Sequence, residues 1–112
     1  MLWMFHAKPT RPEGISNTDW YTVRHAESVA TREAMKAGVF KGCYKVAGKD
    51  EVIGLIEVES FDQMDQAIYS LPVWLQGLEG NVELTWTPLR PYENWGEQLD
   101  GIVAGLGTTY KA

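Results

Sequence analysis

Glu27 is the residue of this chain whose type and position most clearly indicate chemistry. It lies in an amphipathic segment over residues 17–37, where apolar side chains recur at the helical spacing of about 100° per residue. This stripe consists of Val23, Ala26, Ala30, Ala34 and Ala37. Glu27 lies only about 40° from the stripe centre, where a hydrophobic residue is usual. Burying a carboxylate raises its pKa, which suits a general base. The alternative is a solvated stripe edge on which Glu27 pairs with Arg24 or Thr31.

One cysteine and two histidines limit other kinds of catalysis. A single cysteine excludes an internal disulfide and any metal motif built on a cysteine pair. Cys43 shares a predicted strand face with Lys41 and Lys45, and such neighbouring cations lower the pKa of a thiol. The alternative is that Cys43 is an unreactive side chain that only packs, as is usual for a lone cysteine in a strand. His6 and His25 lie on different elements, so we expect no metal site. His25 also lies on the far side of the helix from the candidate base, which predicts a surface position.

Composition predicts one small domain that binds neither nucleic acid nor membranes. The 112 residues carry a net charge of -5, from 15 acidic and 10 basic residues, without a basic run. Nucleic acid and anionic membranes are therefore poor candidate partners. About seven apolar residues open the chain, too few for a signal-peptide core or a membrane span. We expect a soluble protein of the reducing cytoplasm. Five Trp and five Tyr residues suit an apolar pocket or a subunit interface.

Four segments have the residue pattern of β-strands, at residues 1–7, 39–47, 51–59 and 82–87. The first and third are apolar on both faces, and His6 shares its face with Leu2 and Met4. In the second, alternation places Phe40, Gly42, Tyr44 and Val46 on one face and Val39, Lys41, Cys43 and Lys45 on the other. The loop at 8–14 ends the first strand, and Pro88 and Pro91 end the last.

Two helices are predicted between these strands. The first ends at Lys36 before Gly38 and is capped by Ser16, Asn17 or Thr18. The second, residues 61–70, is capped by Ser60, and a short helical turn follows Pro72. The tail contains a weak amphipathic segment over residues 95–103 and then a glycine-rich end.

The order β-α-β-β-α-β predicts a ferredoxin-like α+β fold, with a four-stranded antiparallel sheet and both helices on one face. Because the sheet is apolar on both faces, its second face must also be covered, and we expect the sheet of a second subunit there. The result is a dimeric α/β barrel with a pocket between helix and sheet or inside the barrel. We expect one domain over residues 1–90 and a C-terminal arm over 91–112 that contacts another subunit.

An ordered set of short features resembles the muconolactone isomerases and the related chloromuconolactone dehalogenases of aromatic catabolism. The set comprises Met1-Leu2, Pro12, Glu27, Gly38, Tyr44, Val46, Gly48, Val58-Glu59-Ser60, Leu71-Pro72, Trp74 and Thr87-Pro88-Leu89. The resemblance implies a homo-oligomer, either a dimer or a larger assembly of up to ten chains. It implies that the enzyme works without metal or cofactor. It also implies an enzyme that moves a proton between two carbons of a butenolide, with Glu27 as the proton carrier. Val52 and Gly54 stand where the family has polar residues, which favours an apolar or aromatic substrate with a carbonyl.

The hypothesis is therefore cofactor-free proton transfer next to a carbonyl, in an isomerase or a lyase. Tyr44, His6 and Lys8 are candidate donors to the enolate oxygen. Substrate-binding candidates are Trp20, Val52, Gly54, Trp74 and Lys8. Two alternatives keep the fold: a cofactor-independent or quinol-type monooxygenase, and a non-catalytic ligand-binding or assembly subunit.

Overall fold

A computed structural model describes residues 1–72 and 79–106 of the chain. Its strands are β1 (Leu2–Pro9), β2 (Phe40–Lys45), β3 (Val52–Glu57) and β4 (Val82–Leu89). Its α-helices in these two ranges are α1 (Asn17–Lys36), α2 (Phe61–Tyr69) and α3 (Tyr92–Gly105), and a short 3₁₀ turn at Glu79–Asn81 precedes β4. The expected helical turn after Pro72 and the side chain of Trp74 fall outside the described residues.

The strands form one antiparallel sheet in the order β2-β3-β1-β4. Consecutive strands β2 and β3 make a hairpin, while each helix connection crosses over the strand between its two ends. This is the ferredoxin-like topology, and the predicted fold class is confirmed. The core lies between the helices and the sheet, around Phe5, Phe40, Ile56 and Val58.

Local sequence signals define both ends of α1. The Ser16 hydroxyl accepts a hydrogen bond from the Asp19 backbone amide at 3.0 Å, so Ser16 is the N-cap. Gly38 follows the helix with a φ of 80°, the left-handed conformation that glycine adopts without steric cost. Between these ends, Trp20 and Val23 are buried, and Glu27 lies one turn further along, half-buried.

A β-bulge in β2 overturns the expected alternation of its side chains. Phe40 pairs with Ile56, but Gly42 pairs with Leu55, so one extra residue is inserted between them. Beyond the bulge, Cys43 therefore lies opposite Gly54 on the helix-covered face, together with Phe40. Tyr44, which we expected on the Phe40 face, lies on the opposite one and is 69% exposed. The prediction failed because strict period-two alternation assumes an uninterrupted ladder.

Two proline-containing segments are strand rather than loop. Lys8 and Pro9 were expected to end β1, but they continue it and pair with Glu83 and Val82. Pro88 was expected to end β4, but it lies inside that strand, which runs on to Leu89. β4 is an edge strand, so the backbone groups on its outer side make no hydrogen bonds to a neighbouring strand. A proline, which lacks the amide hydrogen, is tolerated in such a strand.

Within residues 1–72 and 79–106, the helices that form the core lie on one face of the sheet, and the side chains of its second face are only partly buried. Apolar side chains there come from adjacent strands at paired positions, such as Met4 opposite Leu55. The expectation that a second sheet covers this face stays a prediction. Helix α3 follows β4 and has no buried residue. None of the helices in the described ranges is both long and apolar enough to cross a bilayer.

Candidate active site

A pocket of about 370 Å³ opens between α1, α2 and the helix-covered face of the sheet. The sheet supplies an apolar wall, which includes Phe5, Ala7, Val52 and Leu84. Helix α1 supplies the polar wall, and α2 closes one side with Ile68. A pocket with one polar and one apolar wall can hold a flat organic molecule and orient it.

Glu27 lines this pocket from the polar wall. Arg24 and Thr31 line it as well, one turn before and one turn after Glu27, because residues at this spacing share a helix face. Glu27 is half-buried. The structure thus places it on the wall of a largely apolar cavity.

Arg24 is held in place by two contacts with its own chain. Its Nη2 donates a hydrogen bond to Oδ1 of Asp50 at 2.6 Å, and its guanidinium lies 5.6 Å from the ring centroid of Trp20. Sequence reasoning considered Arg24 only as a partner for Glu27. A basic residue one turn from the candidate base was the signal that could have identified it as a pocket residue.

Cationic side chains outnumber carboxylates in the pocket lining. Arg24, Arg32 and Lys45 line it, and Glu27 is the acidic residue among the described lining positions. This local excess of positive charge contrasts with the net charge of -5 for the whole chain. Cationic groups in a largely apolar pocket favour a ligand that is negatively charged or develops negative charge.

The two pocket candidates on β3 have different environments. Val52 lines the pocket directly. Gly54 lies beneath the ring of Phe5: a Cβ atom at this position would come within 2.3 Å of the ring. The space left by the missing Gly54 side chain is therefore filled by Phe5, and the pocket gains no room there. The aromatic ring of Phe5 itself lines the cavity.

The remaining candidates do not all meet at Glu27. Trp20 is 5% exposed and packs in the core beside Arg24. Tyr44 borders the pocket at the edge of the sheet. His6 and Lys8 lie on the other face of the sheet from Glu27, where Nε2 of His6 is 2.8 Å from Oε1 of Glu51. A single chain therefore brings Glu27 and Val52 to one pocket, whereas the register places the Tyr44 side chain on the sheet face of His6.

Cys43 also lines the pocket, as a result of the β2 bulge. Burial raises the pKa of its thiol above the ordinary value, and a hydrogen bond with the Tyr44 backbone offsets this only in part. The expected lowering of the thiol pKa by Lys41 and Lys45 is therefore wrong. A protonated thiol is a poor nucleophile at neutral pH. Within residues 1–72 and 79–106, no group of three potential metal ligands occurs.

Comparison with known proteins decides the family. A family model described as muconolactone delta-isomerase matches residues 1–94, which includes every described residue of the pocket. The chain belongs to the muconolactone isomerase family. No curated protein sequence matches the chain closely enough to act as a relative.

Two solved structures share the fold at low sequence identity. The crystal structure of a muconolactone isomerase matches with a TM-score of 0.69 and 14% identity, over 81% of this chain and 90% of that one. A 5-chloro-2-hydroxyhydroquinone dehydrochlorinase from Burkholderia phenoliruptrix, in complex with 2,5-dihydroxybenzoquinone, matches with a TM-score of 0.58 and 15% identity, over 83% of this chain and 98% of that one. At these identities the likeness establishes the fold, and the resemblance to this family is confirmed by the family model.

Proposed function

We propose that this muconolactone isomerase family member is an isomerase-like enzyme that transfers a proton next to a carbonyl, with Glu27 as the base. The observation that supports this most directly is the place of Glu27: half-buried, on the wall of an apolar pocket that also holds cationic side chains. A carboxylate in such a position can take a proton from carbon without metal or organic cofactor.

In the proposed reaction, the Glu27 carboxylate removes a proton from the carbon next to the substrate carbonyl. The electron pair of the broken C–H bond moves towards the carbonyl oxygen and forms an enolate. Glu27 then returns the proton to a different carbon, which shifts the double bond and restores the carboxylate. Atoms and charge balance over the cycle, so the reaction is an isomerisation.

The enolate oxygen needs a hydrogen-bond donor or a positive charge while it is negative. Arg24 is suited to this task because Asp50 and Trp20 hold it on the same wall as Glu27. Tyr44 borders the pocket, but its side chain lies on the sheet face of His6 and Lys8, so as a donor it belongs with those two residues. His6 and Lys8 lie on the other sheet face. They could act as donors only in a pocket formed between this sheet and the sheet of a second subunit.

The pocket lining also indicates the class of substrate. Phe5, Val52 and Leu84 favour a flat apolar ring, and Arg32 and Lys45 favour a negatively charged group attached to it. We propose a lactone or a related aromatic-catabolism intermediate with a carboxylate or phenolate. Elimination of a leaving group would use the same base. The quinone bound in the dehydrochlorinase of the same fold is therefore a useful probe.

The test is proton exchange at carbon, followed by NMR in deuterated buffer with a panel of butenolides and hydroxyquinones. We expect the wild-type protein to exchange the proton next to the carbonyl of at least one compound. Glu27→Gln keeps the side-chain size but removes the base, so exchange should fall by at least about 100-fold.

Glu33→Gln is the matched control, because Glu33 lies on the same helix but is exposed and pairs with Lys36. This variant should keep wild-type exchange. Equal exchange by wild type and Glu27→Gln would remove Glu27 as the base. Oxygen consumption with a phenolic substrate would favour the monooxygenase alternative, and binding without exchange would favour the ligand-binding subunit.

A further inference from the structure

The turn between β2 and β3, residues 46–51, carries two adjacent carboxylates that contact opposite faces of the sheet. Asp50 lies on the helix-covered side, where its Oδ1 accepts a hydrogen bond from Nη2 of Arg24 at 2.6 Å. Glu51 lies on the other side, where its Oε1 is 2.8 Å from Nε2 of His6. Successive residues alternate between faces in this way as a chain enters a strand. The two carboxylates therefore join His6, on the second sheet face, to Arg24, on the pocket wall.

Glu51 is held at its backbone and at its side chain. Its carbonyl oxygen accepts a hydrogen bond from the Val46 backbone amide at 2.9 Å, which closes the turn. Its side chain is only 19% exposed, and that of His6 is 27% exposed. A carboxylate so far removed from water needs a hydrogen-bonding partner, and His6 supplies one. The contact with His6 thus fixes Glu51 within the turn.

Asp50 depends on the position of its neighbour. The Asp50 side chain is 51% exposed, and an ion pair at such a position stabilises a fold only weakly. The peptide bond between Asp50 and Glu51 is planar, so a fixed Glu51 leaves the Asp50 backbone few directions in which to move. Through Glu51, His6 therefore limits where Asp50 can hold the guanidinium of Arg24.

The orientation of Arg24 matters for the proposed reaction, in which it stabilises the enolate oxygen. Stabilisation of this kind depends on a donor that is already oriented when the negative charge develops. An arginine side chain has many rotamers, and holding it in one of them costs conformational entropy. The Trp20 ring and the Asp50 carboxylate restrict Arg24. Trp20 lies on α1 itself, whereas the contact with Asp50 depends on the turn.

We propose that His6 is a positioning residue for Arg24, and that it acts from the second sheet face through Glu51 and Asp50. This role rests on the proposed function, because Arg24 serves the reaction only if negative charge develops in the pocket. It requires no contact between His6 and the substrate, so the separation of His6 from Glu27 is no obstacle. The two carboxylates of the turn have different tasks: Glu51 fixes the turn, and Asp50 orients the cation.

Arginine NMR of the free protein tests this link without any substrate. The Nε–Hε cross-peak of Arg24 is assigned by its loss in Arg24→Lys. We expect His6→Phe, which keeps a ring but cannot hydrogen-bond, to move this peak in the same direction as Asp50→Asn. His6→Gln keeps a hydrogen-bond donor for Glu51 and should leave the peak at its wild-type position. Thr85→Val is the matched control, because Thr85 pairs with His6 on β4 and shares its sheet face.

A double-mutant cycle on the exchange of the carbon-bound proton tests what the link does for the reaction. His6→Phe should lower the exchange rate at least about tenfold when Arg24 is present. In an Arg24→Gln background, the same change should have no further effect, because the group that His6 positions is already gone. A purely structural role of His6 would lower exchange by the same factor in both backgrounds.

The two experiments separate this proposal from the proposed function. An Arg24 peak that His6→Phe leaves in place, or equal losses of exchange in both backgrounds, would overturn the role of His6. A wild-type protein without exchange would contradict the proton-transfer function, and the Arg24 peak alone would then decide whether His6 positions this side chain.

Discussion

At the scale of single residues, the environment of each side chain decides what chemistry it can do. Glu27 and Cys43 line the same pocket, and the environment of Cys43 changes the pKa of its thiol. Burial favours the neutral thiol of Cys43, since charge is costly away from water. Cationic side chains line the same pocket as Glu27. The raised thiol pKa argues against Cys43 as a nucleophile in this pocket.

The raised pKa of Cys43 predicts a pH profile for alkylation. In the folded chain, the reaction of Cys43 with iodoacetamide should rise at higher pH than in the urea-unfolded chain, because only the thiolate reacts. Since the folded pKa is raised, the neutral thiol stabilises the fold below the unfolded pKa. That contribution disappears as the pH rises through the folded pKa. Coincident profiles for folded and unfolded chains would contradict the structure.

At the scale of elements, one glycine links strand β3 to the pocket wall. Gly54 allows the Phe5 ring to pack closely against β3, and the same ring lines the cavity and contacts Phe40 and Trp86. A side chain at position 54 would push this ring out of its place. The absence of a single Cβ therefore determines both the packing of β1 on β3 and the shape of the pocket.

Gly54→Ala should destabilise the fold by about 1–3 kcal/mol, the usual range for overpacking a core. Thermal unfolding followed by circular dichroism measures the effect. Gly80→Ala is the control, since a Cβ there would meet nothing within 4 Å. The double variant Gly54→Ala/Phe5→Leu should recover part of the lost stability, because leucine removes the ring that the new Cβ atom at position 54 would meet. An unchanged melting temperature for Gly54→Ala would show that Phe5 does not occupy this space.

At the scale of the whole molecule, two groups of apolar side chains in the described residues are not fully buried. One is on the second sheet face, where Met4, Ile53 and Leu55 are partly exposed, and the other is on α3, where Ile102 and the C-cap residue Leu106 are exposed. A small domain with both faces of its sheet apolar gains stability by burying the second face against another subunit.

Leu55→Lys should weaken dimer formation if two sheets pack face to face, because the new charge would be buried in the interface. Light scattering after size exclusion, over a range of concentrations, measures the change, and we expect at least a tenfold shift in the concentration of half-dissociation. Gln66→Lys adds the same charge at an exposed position on α2 and should have no effect. A wild-type chain that stays monomeric at high concentration would contradict the barrel arrangement.

The sequence by itself determined the order of elements, the Ser60 cap of α2, the start of α1 to within three residues, and the place of Glu27 near the apolar stripe of α1. These features follow from short-range rules: periodicity, capping residues and turn residues act within a few positions of the chain. The tertiary structure alone decided the faces of β2, the strand character of Pro9 and Pro88, and the separation of His6 from Glu27. A bulge, an edge position and the side of a sheet all depend on which distant strand lies next to which. Arg24 shows the same limit, because Asp50, the partner that holds it at the pocket, lies 26 residues away along the chain.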